Sequence, residues 1–213
     1  MSLLVKICGL KTPEAVDASV EAGADFTGFV FFEPSPRNLT PEEAATLMAR
    51  VPDRVTKVAL VVDPSDDHLE AIVRGSRPDL MQFHGSETPE RLALVKLRYG
   101  IPVMKALPVS EPGDIAKSEA YAGIASWLLF DAKPPKDATR PGGNAQPFDW
   151  QLLKNRRVSL PWLLAGGITL DNLSDAVAIS GAKGIDVSSA VESRTGEKDV
   201  DLIRRFVAAA KAL

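Results

Sequence analysis

The chain is poor in the residues that build disulfides and metal centres. Its 213 residues include one cysteine, Cys8, and two histidines, His68 and His84. A lone cysteine forms no disulfide within the chain, which fits a reducing compartment. Two histidines are too few for a His-rich metal site, although counting alone leaves a carboxylate site for Mg²⁺ open. No apolar run approaches the roughly 20 residues of a membrane helix. The opening MSLLVKICGL has no basic region before its apolar stretch, and Lys6 interrupts that stretch, so it does not read as a signal peptide. The cytoplasm is the expected location. Lys plus Arg total 25 against 28 Asp plus Glu, a net charge of −3, and no basic run stands out. Nucleic-acid binding and membrane-surface binding both lack their electrostatic footprint.

What is present is an ordinary globular composition, 45% hydrophobic and 25% charged. Short apolar runs alternate with longer helical patterns. Strands are expected at residues 4–8, 26–32, 55–62, 80–84, 103–107, 127–131, 162–165 and 184–187. Helices are expected at 13–22, 41–50, 66–74, 89–99, 112–122, 148–155, 170–179 and 200–213. Thr12, Thr40 and Thr88 each precede a proline, an N-cap followed by proline at the first helical position. Glu43 completes a capping box with Thr40, and Gly23 ends its helix as a C′ glycine. Near-continuous apolar strands alternating with helices imply a parallel sheet. Eight such units predict one (β/α)₈ barrel over residues 1–213, a single domain near the short end of the known range. The rival is an open doubly wound sheet, but no G-x-G-x-x-G follows the first strand.

In such barrels the active site lies at the C-terminal ends of the strands. Strand ends carry Cys8, Asp63, His84, Asp131, the pair Gly166-Gly167 and the pair Ser188-Ser189, and Arg37 lies in the loop after strand two. Loops seven and eight are a frequent phosphate site in these barrels, and glycines let backbone N–H groups approach an anion. GG and SS are also ordinary turn formers. Cys8 is either a base or nucleophile, or a buried inert thiol. Lys6 shares its strand face and is expected to help hold a thiolate. Asp131 is either a general acid or a polar cap on the barrel mouth. Asp63, followed by Pro64, suits a turn. Arg37 is either a carboxylate clamp or a solvated loop charge. His84 either positions substrate or is a satisfied rim histidine. The glycine- and proline-rich stretch at 132–147 is expected to form a lid.

Taken together, KICGL (6–10), GADFTGFVFFEPSPR (23–37), QFHG (82–85), LLFDAK (128–133), FDW (148–150), LAGGI (164–168) with Asn172, and DVSSAVE (186–192) resemble the phosphoribosylanthranilate isomerases of tryptophan biosynthesis. The resemblance covers essentially the whole chain. It implies an Amadori rearrangement of a phosphoribosyl-anthranilate with no cofactor and no metal. It also implies that Asp131 is the general acid and Cys8 the general base. Arg37, His84 and Asp186 would bind substrate, and Gly166, Gly167, Ser188, Ser189 and Ala190 the phosphate. The family often has glycine where Ala190 stands, and lysine before FDW where this chain has Gln146 and Pro147. Expected partners are the small-molecule substrate alone, with the chain a monomer or homodimer.

Three rival functions remain in view. The aminoaldose isomerase of histidine synthesis typically uses two carboxylates, and no acid ends strand one here. A ribulose-phosphate epimerase needs metal-binding His and Asp on several strand ends. A barrel that only binds a phosphorylated ligand would tolerate loss of Cys8 and Asp131.

Overall fold

A computed structural model describes residues 2–133 and 147–213. Eight parallel strands close into a ring in sequence order: β1 (Leu4–Cys8), β2 (Phe26–Phe31), β3 (Thr56–Val61), β4 (Leu80–Phe83), β5 (Val103–Val109), β6 (Trp127–Ala132), β7 (Trp162–Leu164) and β8 (Gly184–Val187). The helices between them are α1 (Pro13–Ala22), α2 (Pro41–Met48), α3 (Asp66–Ser76), α4 (Pro89–Tyr99), α5 (Pro112–Ala116), α6 (Leu173–Ser180) and α7 (Val200–Lys211). The expected (β/α)₈ barrel is therefore the fold.

Helix boundaries follow local chemistry. The Thr-Pro pairs start α1, α2 and α4, with each threonine hydroxyl accepting from a backbone N–H one turn on. The Glu43 carboxylate closes the capping box on the Thr40 N–H at 2.8 Å. Where the apolar period was weakest, the outcome departs from expectation. The helix expected at 112–122 is a short α5 continued by a 3₁₀ segment, Lys117–Tyr121. The helix expected at 148–155 is a single 3₁₀ turn, Trp150–Leu153. Helix α6 starts at Leu173 rather than 170, because the Asn172 side chain closes a turn: its Oδ1 accepts from Thr169 N at 2.8 Å and its Nδ2 donates to the Gly167 carbonyl at 2.9 Å. The small hairpin of β9 (Glu192–Arg194) and β10 (Glu197–Lys198) was not expected.

Alternation along the strands sorts side chains into two sets. Outward residues such as Ile7, Phe29, Phe31, Phe83 and Phe130 pack under the helices. Inward residues Phe26, Val58, Leu80, Met104, Leu129 and Leu163 fill the lower barrel, with Cys8, Val30 and Leu60 above them. The same period of two carries Lys6 to Cys8, Leu80 to Gln82 and His84, and Leu129 to Asp131. The residues that fill the barrel and those that line its mouth thus lie on one face. Most of the stretch expected as a lid, residues 134–146, lies outside the described residues. Among the described residues no helix is long and apolar enough to cross a membrane.

Candidate active site

The seam between β1 and β8 carries the thiol. Lys6 is fully buried, and its Nζ donates to Asp186 Oδ1 at 2.8 Å. Cys8 is also buried, one pleat repeat above Lys6. Opposite it in register stands Gly28. A Cβ there would lie 2.9 Å from Cys8 Sγ and 3.2 Å from Lys6 Nζ. The absent side chain is what lets thiol and ammonium converge on one space. Burial works to lower the Lys6 ammonium, but Asp186 and Cys8 outweigh it and hold it above its ordinary range. Burial pushes the Cys8 thiol up, and Asp186 adds to this; Lys6 and Lys198 pull it down without cancelling the rise.

Across the mouth, Asp131 ends the inward face of β6. Its Oδ1 accepts from Ala132 N at 2.8 Å, and its Oδ2 lies 3.2 Å from His84 Nε2. The buried Gln82 amide nitrogen lies 3.5 Å from His84 Nδ1 and lines up behind the ring. His84 is thus half-buried and bound to the acid. Loop seven comes against this carboxylate: a Cβ on Gly166 would lie 2.6 Å from Ala132 N and 3.0 Å from Asp131 Oδ1. Gly166 and Gly167 both have positive φ, 82° and 66°, a conformation glycine adopts at no steric cost. Asp63 serves the turn expected of it. Its Oδ1 accepts from Ser86 N and Oγ at 2.8 and 3.0 Å, tying loop three to loop four.

Loop eight is held from below. Ser188 Oγ donates to the Cys8 carbonyl at 2.9 Å. Lys198 Nζ donates to Ser188 O at 2.9 Å, to Ser188 Oγ at 3.1 Å and to Glu192 Oε1 at 2.6 Å. Arg37 is not a solvated loop charge: it is buried and grips Glu192 with two bonds of 2.7 Å, from Nε and Nη2. Burial alone would raise the Glu192 carboxyl, yet the bonds to Arg37 and Lys198 bring it down to about 2. Burial brings the Lys198 ammonium down to about 8, against the upward pull of Glu192. Among the described residues, the backbone N–H groups of Gly166, Gly167, Ser189 and Ala190 have no protein acceptor. These turns flank the space between Asp131 and Cys8 in strand order six, seven, eight, one.

Contacts join Lys6, Cys8, Asp186, Ser188 and Arg37 on the β1–β8 side and Asp131, His84 and Gly166 on the β6 side, while Asp63 serves the turn between loops three and four, and not all of these are free groups. Arg37 and Asp186, expected to meet substrate, are each already committed to an ion pair inside the protein. Glu192 and Lys198 were missed as site residues, because a hairpin of three and two residues has no readable period. Glu192 itself ends the DVSSAVE segment, and Gly196, with a positive φ of 85°, closes the turn between the two. Among the described residues no group of three or more His, Cys, Asp or Glu is arranged to hold a metal.

A buried thiol and a carboxylate stand on opposite sides of these two turns at the C-terminal mouth of a (β/α)₈ barrel, the end at which enzymes of this fold carry their active sites. The family model described as N-(5'phosphoribosyl)anthranilate (PRA) isomerase matches residues 5–209, and the chain belongs to that family. A protein of Paramagnetospirillum magneticum named N-(5'-phosphoribosyl)anthranilate isomerase is 54% identical over 211 residues, covering 99% of this chain and 98% of that one. One of Rhodopseudomonas palustris with the same name is 53% identical over 212 residues, covering all of both. The crystal structure of phosphoribosyl anthranilate isomerase from Thermotoga maritima superposes with a TM-score of 0.88 at 32% identity, over 99% of this chain and 100% of that one. A crystal structure of a phosphoribosyl anthranilate isomerase in complex with reduced 1-(o-carboxyphenylamino)-1-deoxyribulose 5-phosphate gives a TM-score of 0.84 at 31% identity, over 99% of this chain and 100% of that one. The activity is the isomerisation of N-(5'-phosphoribosyl)anthranilate to 1-(2-carboxyphenylamino)-1-deoxyribulose 5-phosphate, a step of tryptophan biosynthesis.

Proposed function

We propose that Asp131 and Cys8 divide the two proton transfers of this rearrangement between them. Asp131, as the acid, gives a proton to the furanose ring oxygen. The bond from that oxygen to C1' breaks, and the nitrogen lone pair forms the Schiff base. Cys8, in the thiolate form that the Lys6 and Lys198 ammoniums favour against its burial, removes the proton on C2', and the electron pair left behind shifts to give the enolamine. Proton return at C1' and loss of the C2' hydroxyl proton yield the ketone. A separate acid and base suit this sequence, because one step needs a proton delivered to oxygen and the next needs one removed from carbon.

The observation that carries this reading is the placement of an acid and a thiol on either side of loops seven and eight. The unpaired N–H groups of Gly166, Gly167, Ser189 and Ala190 receive the phosphate, which sets the ribose between Asp131 and Cys8. Arg37, braced by Glu192, meets the anthranilate carboxylate. His84 orients Asp131, and Asp186 keeps Lys6 beside the thiol. No cofactor enters these steps. The protein acts in the cytoplasm on this small molecule alone, as a monomer or homodimer.

The test is a turnover assay with phosphoribosylanthranilate generated in place, following loss of anthranilate fluorescence. Cys8→Ala and Asp131→Asn each lower kcat/KM about a thousandfold while thermal unfolding stays near that of the wild type. Activity retained in either variant removes that residue from its role.

A further inference from the structure

One carboxylate, Glu192, holds two cations in this structure. Its Oε1 accepts from Arg37 Nε and Lys198 Nζ, and its Oε2 from Arg37 Nη2 and Gly196 N. All three charged side chains are nearly inaccessible to solvent. The buried cluster therefore carries one positive charge more than its own carboxylate balances. A buried charge without a counter-charge is costly, so an anion arriving next to it is strongly favoured. The ammonium lies directly beneath loop eight, bonded to both the carbonyl and the hydroxyl of Ser188. The next two residues, Ser189 and Ala190, are those whose N–H groups stand without protein acceptors among the described residues.

We propose that Lys198 is a positioning residue for the phosphate: it fixes the turn at Ser188 so that the Ser189 and Ala190 N–H groups face outward, and its buried charge is balanced by the phosphate only when substrate is bound. The proposal rests on the assignment of loop eight to the phosphate. Its geometry also links three subsites through one side chain. Lys198 touches Glu192, which braces Arg37, and Ser188, whose hydroxyl bonds the Cys8 carbonyl. The groups facing Lys198 are Glu192 on β9, Arg37 from the loop after β2 and Cys8 on β1. With the ammonium near 8 in the free protein, the charge is partly lost just above neutrality, and a bound dianion opposes that loss.

The experiment combines steady-state kinetics with inhibition by inorganic phosphate, on wild type, Lys198→Met, Lys198→Arg and Ala190→Glu. Lys198→Met raises KM and the phosphate inhibition constant together by about tenfold, while kcat changes less than about threefold. Lys198→Arg recovers most of both. Phosphate affinity measured by calorimetry on Cys8→Ser, which removes the thiol's own titration, weakens from about pH 8 to about 9.5, a range in which the ligand is already largely dianionic. Unchanged KM and inhibition constant in Lys198→Met, a loss confined to kcat, or affinity flat across that pH range overturns the proposal. The pH series needs no change at Lys198, so it decides the matter if Lys198→Met does not fold. Ala190→Glu separates the two assignments. If it raises KM while Lys198→Met does not, Lys198 is structural and loop eight keeps the phosphate. If it leaves KM and inhibition unchanged, loop eight does not bind phosphate and the role of Lys198 falls with it.

Discussion

Two buried ion clusters sit at the same end of this barrel and are built to different charge counts. Below loops three and four, Lys105 Nζ bonds Glu87 Oε2 at 2.7 Å and the Gly85 carbonyl at 2.6 Å, while Glu87 Oε1 accepts from Asp63 N at 2.8 Å. One cation meets one anion, and the leftover lone pairs go to backbone N–H groups. The cluster is electrically closed and holds two loops in place. At loop eight, Glu192 serves both Arg37 and Lys198, so the count stays open by one positive charge. Both clusters are equally sheltered from water. The two clusters differ in stoichiometry rather than burial, and only the second has an electrostatic reason to attract an anion.

The comparison breaks most visibly at the closed cluster. Glu87→Gln leaves the Lys105 charge buried without its partner and lowers stability by about 3 kcal/mol, measured by urea unfolding. Its kcat/KM stays within about tenfold of the wild type, far from the expected effect of Cys8→Ala. A collapse of activity in a well-folded Glu87→Gln protein would make this cluster part of the site. The open cluster gives a smaller, pH-dependent effect. The folded Glu192 carboxyl near 2 lies below its ordinary 4.5, so the stability it confers is present above pH 4.5 and is lost as pH falls toward 2. Wild type therefore loses of order 2 kcal/mol more than Glu192→Gln across that interval, read from unfolding at stepped acid pH. Parallel curves would show that Glu192 is not held as an anion by its two cations. The smallest effect comes from a residue in neither cluster. Thr40→Ala removes the N-cap of α2, costs about 1 kcal/mol and leaves kcat/KM unchanged, which sets the background for the other two.

The fold was legible where local chemistry decides it. Three Thr-Pro starts, glycine stops and unbroken apolar strands placed β1, α1, α4 and β8 within their observed bounds. It was least legible in α5 and the turn at Trp150, where apolar spacing is loose and short 3₁₀ segments replace a helix. Strand-end position put Cys8, Asp63, His84 and Asp131 forward alike, and only the family resemblance separated their expected roles. Their pairings were not legible. Arg37 finds Glu192 across 155 positions and Lys6 finds Asp186 across 180. Nothing local in either segment announces its partner, so a charge that looked free in sequence was already committed. Family resemblance named Arg37 and Asp186 as substrate-binding groups without showing that each has an internal partner.

The Lys6–Asp186 pair also has a consequence for assembly. It joins the first strand to the last, and Ser188 repeats the link by bonding the Cys8 carbonyl. Contacts of such large sequence separation require closure of nearly the whole chain, which makes them among the slowest kind to form. The surroundings of the thiol are therefore completed only when the two ends of the polypeptide meet. A nascent or nicked chain with its first seven strands in place would keep Cys8 but lack the carboxylate that steadies the neighbouring ammonium. Catalytic competence and ring closure thus become a single event, and recovery of turnover during refolding is a direct clock for the joining of the N- and C-terminal strands.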